Sequence, residues 1–309
     1  MALSSRSSVT VLIPCLDEEL AIADVVSDLR RELPDARILV VDNGSRDATA
    51  ARARAAGADV ISEPRRGKGY AVVAGFTLLD EDIVIMVDGD GSYPAECARR
   101  LLDAHAVTPA DMITGLRTAT ARTAAFRPMH RLGSVIFARV FRLVFDHAPG
   151  DLFSGVRLFS KRFYKNVPVL FRGFELETEL TVQAVEKGFR VSEVEVPFRE
   201  RAAGSRSKLR TVHDGLRILR LLVVLFRDYR PLLFFGAIAL VLFIGGLAAG
   251  SLPIYEYVTT RMVGRFPLAI LAAGLMNLSL FTLLTGLMLE SSLRHRRESY
   301  QITLRNYRA

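Results

Sequence analysis

Apolar positions in the first half of the chain come in short, β-branched runs separated by periodic stretches. Val9-Thr10-Val11-Leu12-Ile13, Ile38-Leu39-Val40-Val41, Val60-Ile61, Ile83 to Val87 and Met112-Ile113-Thr114 are too short for helices, and Pro, Asp, Asn or Gly follows most of them. This is the pattern of buried strands. Between the first two runs, Ile22, Val25, Val26 and Leu29 recur at helical spacing as far as about Leu33. One stripe of such a helix faces a core. An Ala-rich helix follows Thr49, and another opens at Gly67-Lys68-Gly69 and runs to about Leu79. Strands alternating with helices of this length predict an α/β fold with a parallel, doubly wound sheet. Val191 to Val196 alternates and predicts a further strand.

The pattern changes after residue 208. Leu232 to Pro253 and Phe266 to Leu289 contain no charged residue. Each reaches the ~20 residues that a membrane-spanning helix needs, and two buried core helices are the alternative. Arg210, His213, Arg217, Arg220 and Arg227 are spaced by three, four, three and seven, on one face of a helix that ends before Pro231. Arg294, Arg296, Arg297, Arg305 and Arg308 follow the second apolar stretch. Basic flanks on both outer sides place both termini in the cytoplasm and the loop with Tyr255 and Tyr257 outside. Phe126 to Phe145 mixes apolar residues with Arg127, His130, Arg131, Arg139 and Arg142. It reads as a basic amphipathic helix lying on a membrane surface, or as an ordinary packed helix with a solvated basic face. Gly245-Gly246 and Ala248-Ala249-Gly250 permit close helix contact, and with it a homo-oligomer. The expected organisation is a globular domain over 1–208 with a surface helix at about 126–147, a juxtamembrane helix over 209–230, a two-helix membrane region over 231–289 and a basic tail over 290–309.

Composition agrees with a membrane protein. Half of the 309 residues are hydrophobic and the net charge is +8; the mean hydropathy is +0.25 and the isoelectric point about 9.8. The positive excess lies around the apolar stretches, which assigns it to a membrane surface and to phosphates. No aromatic-rich basic platform for nucleic acid accompanies it. Cys15 and Cys97 have no pair spacing, which fits a reducing compartment rather than a disulfide framework or zinc site. Met1 to Ser8 has no apolar core of signal-peptide length.

The candidate chemistry sits where strands end. In a doubly wound sheet, Pro14 to Glu18, Asp42 to Asp47 and Asp88-Gly89-Asp90 fall on the carboxyl edge, where such sheets bind ligands. Two carboxylates one residue apart need a cation. As hard oxygen ligands they suit Mg²⁺ or Mn²⁺ shared with substrate phosphates, or they form an acidic surface turn. Asp42 could accept two hydrogen bonds from a base or ribose, or could serve an Asx-turn or helix N-terminus. Gly67-Lys68-Gly69 could cradle phosphate at a helix start, but neither a Walker A loop nor a G-x-G-x-x-G is present.

Taken in order, Pro14-x-x-x-Glu18, Asp42-Asn43-Gly44-Ser45-x-Asp47-x-Thr49, Gly67-Lys68-Gly69 and Asp88-Gly89-Asp90 resemble the successive motifs of family 2 glycosyltransferases with the GT-A fold. Asp151-Leu152-Phe153-Ser154-Gly155-Val156-Arg157 resembles the D-x-x-S-G-x-R loop of the polyprenyl-phosphate branch, the dolichyl-phosphate mannose synthase group. Arg201 to Leu209 resembles that group's R-x-x-G-x-S-K-L signature, with one extra residue between Gly204 and Ser207. The resemblance implies transfer of a hexose from a nucleotide sugar (GDP-mannose, UDP-glucose or UDP-GlcNAc) to a polyprenyl phosphate at the inner or plasma membrane, with inversion. It places Asp90, Arg117, Arg201 and Lys208 in the chemical step and Pro14, Glu18, Asp42, Lys68 and Asp88 on the nucleotide sugar. Arg131, Ser134, Ser154 and Arg201 fall on the acceptor phosphate, and Asp88 with Asp90 on Mg²⁺ or Mn²⁺. An acid is also implied among Glu175, Glu177 and Glu179. A phosphate acceptor is already an anion, so no strong general base is required, and no histidine stands out as one. The rivals are a processive polysaccharide synthase, which would carry Gln-x-x-Arg-Trp where this chain has no Trp, and a non-catalytic nucleotide-binding scaffold.

Overall fold

The structure, a computed structural model, describes residues 8–117, 150–169, 176–199, 223–224 and 226–306. The expected surface helix at 126–147, Arg131, Ser134, Glu175, Arg201, Lys208 and most of the expected 209–230 helix lie outside the described residues. The chain divides into two compact units, Met1–Asp214 and Gly215–Ala309.

In the first unit the elements follow as β1 (Val9–Cys15), α1 (Ile22–Glu32), β2 (Arg37–Asp42), α2 (Thr49–Ala55), β3 (Asp59–Ser62), α3 (Lys68–Leu78), β4 (Ile83–Met86), α4 (Glu96–Val107) and β5 (Met112–Arg117). Then come β6 (Arg157–Ser160), α5 (Lys161–Tyr164), α6 (Leu176–Glu186) and β7 (Val191–Val196). The strands form one seven-stranded sheet in the order β3-β2-β1-β4-β6-β5-β7. Val11, Leu12 and Ile13 in β1 and Val84, Ile85 and Met86 in β4 have no exposed surface. Both strands are covered on both faces, hence the continuous apolar runs. The periodic residues Ile22, Val25, Val26 and Leu29 of α1 are buried as their spacing predicts.

β1, β2 and β3 pair in parallel, and β4 pairs in parallel on the other side of β1. Strand order therefore reverses between β1 and β4. That switch point opens a crevice at the carboxyl ends of these strands. The expectation of a fully parallel sheet needs one correction, because β6 runs antiparallel to both β4 and β5. The 150–156 loop that feeds β6 lies at the carboxyl edge, against Asp88 and Arg117. A strand entering the sheet directly from that edge has to run the opposite way, since a parallel one would need a long crossover.

The second unit contains α7 (Pro231–Thr260) and α8 (Phe266–Asn306). Both are long and apolar enough to cross a membrane, and most of their large hydrophobic side chains are exposed; a soluble core helix would bury them. They pack on each other: Ser279 Oγ donates to the Ala239 carbonyl at 2.8 Å, Gly246 lies against Met276, and Gly250 against Ala272. Two of the small residues that the sequence offers for close helix contact, Gly246 and Gly250, thus face the other helix of the same chain. Each helix start is met by a carboxylate from the other helix. Leu232 N–H donates to Glu290 at 3.4 Å, and Arg265 N–H to Glu256 at 3.2 Å. Beyond Leu289, α8 continues unbroken through the basic residues to Asn306.

Candidate active site

The first two strand ends are laced together. Asp17 N–H donates to Ser45 Oγ at 3.0 Å, Arg46 N–H to Asp17 Oδ1 at 2.7 Å, Glu18 N–H to Thr49 Oγ1 at 2.8 Å and Glu19 N–H to Asp47 Oδ2 at 3.1 Å. Ser45, Asp47 and Thr49 therefore hold the Pro14–Glu19 turn through its backbone. Asp47 also accepts from the Thr49 N–H and hydroxyl. Burial alone would raise its pKa, but these bonds outweigh that and leave it below the ordinary 3.8. A depressed carboxylate stabilises the fold above its unfolded value and loses that contribution as pH falls through the folded one. Asp47→Asn is expected to lower the thermal midpoint at pH 7, with the difference from wild type closing as pH falls below 3.8. A difference of equal size at pH 7 and pH 3 in thermal melts contradicts this.

Asp42 is 8% exposed at the end of β2, and Ser45 N–H approaches its Oδ1 at 3.3 Å. The Asx-turn geometry is thus present at the residue that the sequence offers for a nucleobase. Pro14 is buried within β1, and Glu18 is half-buried beside it. Asn43, a motif residue to which the sequence assigns no role, lies next to Asp42. Its side chain donates to the Glu63 and Arg65 carbonyls and accepts the Gly67 N–H at 2.6 Å. That bond fixes the loop opening α3. Gly67 has φ 139°, a left-handed conformation suited to glycine. Lys68 starts from this fixed point.

Lys68 Nζ donates to Asp88 Oδ1 at 2.6 Å and to Glu177 Oε1 at 2.5 Å. Burial works against the ammonium, but the charges of Asp88 and Glu177 outweigh it and raise its pKa above the ordinary lysine value. Of the two described acids implied near α6, Glu177 reaches this site. Glu179 accepts from Gln183, and Glu175 lies outside the described residues.

Asp88 and Asp90 follow β4 at the switch point. Asp90 is 4% exposed and accepts the Ser92 N–H at 2.9 Å. Glycine between them has a local cause, since a Cβ on Gly89 would collide with Cys15 Sγ. Gly89→Ala is expected to cost about 1–3 kcal/mol, the usual range for overpacking, and Cys15→Ala in the same chain should recover most of it. A purely additive pair in denaturant unfolding contradicts the contact. Glycine is required at 155 as well, because a Cβ there would overlap the Asp88 carboxylate.

The 151–157 loop is held from three sides. Gly155 N–H donates to the Tyr93 hydroxyl at 3.1 Å, and burial pushes the Tyr93 pKa up to about 12. Fully buried Arg157 donates to the carbonyls of Leu152 and Ser154 and to Thr181 Oγ1, and burial pushes its pKa down. Arg117 makes a two-pronged pair with Asp151 at 2.6 and 2.8 Å. Burial opposes the Arg117 charge, yet Asp151 outweighs it and raises the pKa. Ser154 is fully buried, with its hydroxyl near Tyr93 and the Val156 backbone. It packs the loop from inside. Phe198, just after β7, lies edge-on to Tyr93 and under Arg117, and Arg199 N–H donates to the Ser92 carbonyl at 2.9 Å. The segment leading into the basic 200–208 stretch is thereby anchored to the Asp90 loop.

Among the described residues no group of three or more His, Cys, Asp or Glu side chains gathers to cage a metal. Asp88 and Asp90 supply hard oxygens one residue apart just after β4. That donor set fits Mg²⁺ or Mn²⁺, which are held by one or two carboxylates and complete their shell with phosphate and water.

Comparison with known proteins agrees with this geometry. The family model described as glycosyl transferase family 2 matches residues 10–167. The chain is 32% identical over 286 residues to glycosyltransferase AglJ of Haloferax volcanii, spanning 91% of this chain and 94% of that one. It is 28% identical over 200 residues to a dolichyl-phosphate hexose transferase of the same organism, spanning 63% of this chain and 85% of that one. Among solved structures, glucosyl-3-phosphoglycerate synthase of Mycobacterium tuberculosis in complex with Mn²⁺, uridine diphosphate and phosphoglyceric acid aligns with a TM-score of 0.60 at 18% identity, over 71% of this chain and 78% of that one. That likeness is one of fold. With the family model covering the β1 to β6 region and AglJ similar along nearly its whole length, the chain belongs to glycosyl transferase family 2 and is a glycosyltransferase of the GT-A fold.

Proposed function

We propose that the enzyme transfers a hexosyl group from a nucleotide sugar to a polyprenyl phosphate at the cytoplasmic face of a membrane. The observation that carries this reading is the placement of Asp42, Asp88 and Asp90 on the carboxyl edge of the sheet, in a chain that continues into two apolar helices long enough to cross a membrane. Asp42 contacts the nucleobase, with Pro14 and Glu18 shaping that end. Lys68 meets the diphosphate. Mg²⁺ or Mn²⁺ held by Asp88 and Asp90 supplies positive charge against the leaving diphosphate.

Arg117, Arg201 and Lys208 place cations against phosphates, and Arg131 and Ser134 hold the acceptor phosphate, where guanidinium groups offer paired donors. An acceptor phosphate oxygen forms the new bond to the anomeric carbon as the bond to the nucleoside diphosphate breaks. The electron pair leaves with the diphosphate. No proton has to be removed from the acceptor, since a phosphate monoester is an anion near neutral pH. Direct displacement inverts the anomeric centre. The apolar helices and the basic segments before and after them keep the lipid at the site, so that the encounter is local.

The dolichyl-phosphate hexose transferase among the relatives and the bound Mn²⁺ and uridine diphosphate of the structural neighbour support this reading. The test compares polyprenyl phosphate with the parent polyprenol as acceptor. Transfer to the phosphate alone is expected. Equal transfer to the alcohol would require a general base and contradict the mechanism.

A further inference from the structure

We propose that Lys68 serves as the resident cation of Asp88 in the donor-free enzyme and hands that carboxylate over to the metal as the nucleotide sugar arrives, while Glu177 keeps hold of the ammonium. The inference rests on the metal and donor assignment above. It adds an order of events and a role for Glu177.

Three contacts carry it. Lys68 Nζ lies 2.6 Å from Asp88 Oδ1, and the other oxygen, Oδ2, is covered by the backbone at Gly155, where not even a Cβ would fit. Both oxygens are thus flanked, and the side chain is only 28% exposed, so a metal approaching Asp88 competes with Lys68 for the same carboxylate. The ammonium has a second berth 2.5 Å away on Glu177, a side chain 5% exposed that comes from α6, 109 residues further on. A lysine carries three donors on a flexible stem. Two are used here, and the third remains for a diphosphate oxygen. The base of the stem does not move, because Asn43 and the left-handed Gly67 fix the start of α3.

A dication and an ammonium on one carboxylate repel each other, so metal alone competes with Lys68 and binds weakly. Metal arriving with a diphosphate gives the ammonium a new anionic partner and releases Asp88. Metal and nucleotide therefore bind cooperatively, and by linkage each raises the affinity of the other by the same factor.

The test measures Mn²⁺ binding to the full chain in detergent by electron paramagnetic resonance, first without nucleotide and then with UDP or GDP. Without nucleotide, Lys68→Met is expected to tighten Mn²⁺ binding by about tenfold or more, within the common span of coupling factors. Arg66→Met removes the same charge from a side chain bonded to the Gly44 carbonyl and is expected to change little. Glu177→Gln is expected to weaken Mn²⁺ binding by leaving the ammonium to Asp88 alone, and to have no effect in the Lys68→Met background. Unchanged or weaker binding by Lys68→Met overturns the handover, as does a Glu177→Gln effect that persists without Lys68. If wild type binds no Mn²⁺ even with either nucleotide, or Asp90→Asn binds it as well as wild type, the metal assignment falls and the handover with it.

Discussion

Asp90→Ala is expected to reduce sugar transfer by at least about 10²–10³-fold, the loss typical when one preorganised electrostatic contact to a developing charge is removed, while the chain still folds and inserts in membranes. The residue is 4% exposed and sits where strand order reverses. Its Oδ1 accepts the Ser92 N–H, two residues on, so the carboxylate is oriented before any ligand arrives. The preceding strand is buried throughout and does not depend on this side chain. Asp90→Asn separates charge from shape, because the amide keeps the volume and removes the anion. Both variants should fail alike in an assay of radiolabelled sugar transfer, with thermal melts near wild type. Wild-type turnover by Asp90→Ala in metal-free buffer would remove the metal assignment.

The second large effect concerns stability. Asp151→Ala is expected to cost about 3–5 kcal/mol, because it removes the carboxylate that pairs with the nearly buried Arg117 guanidinium. At roughly 2–4 °C per kcal/mol for a domain of this size, the melting midpoint should fall by about 10 °C. Arg117→Met with Asp151→Leu replaces both charges by apolar groups and should recover most of that loss. Arg117 also lies over the Phe198 ring, so part of the loss stays. If Arg117 meets a phosphate, the stable double variant remains inactive. A double variant both stable and fully active would make the pair scaffolding alone.

The sequence displays the strands around the crevice because each is a short, closed apolar run. It also displays the acids at their ends, because those follow the runs directly. β6 is less visible: Arg157-Leu158-Phe159-Ser160 is only four residues long and continues straight from a motif loop. Its antiparallel direction follows from where that loop lies, which local pattern does not encode. The Lys68–Glu177 contact joins residues from different helices, and nothing local to either announces it. Motif residues also divide in a way that spacing does not reveal. Ser45, Asp47 and Thr49 spend their side chains on the neighbouring turn, while Asp42 remains at the rim. Tyr93 looks like an ordinary loop residue until its hydrogen bond is traced, and the motifs that contain Asn43 and Arg157 do not reveal that both side chains bind loop backbone. Gly246 and Gly250 read equally well as an intermolecular face, and only the hairpin shows what they pack against.

The central claim is tested most directly by presenting wild-type membranes with radiolabelled GDP-mannose, UDP-glucose and UDP-GlcNAc in turn, together with one polyprenyl phosphate and Mg²⁺ or Mn²⁺. The account predicts that one donor labels a lipid carrying a single sugar on its phosphate and that Asp88→Asn abolishes the label. Label in a long polymer, or none in the lipid from any donor, would contradict it.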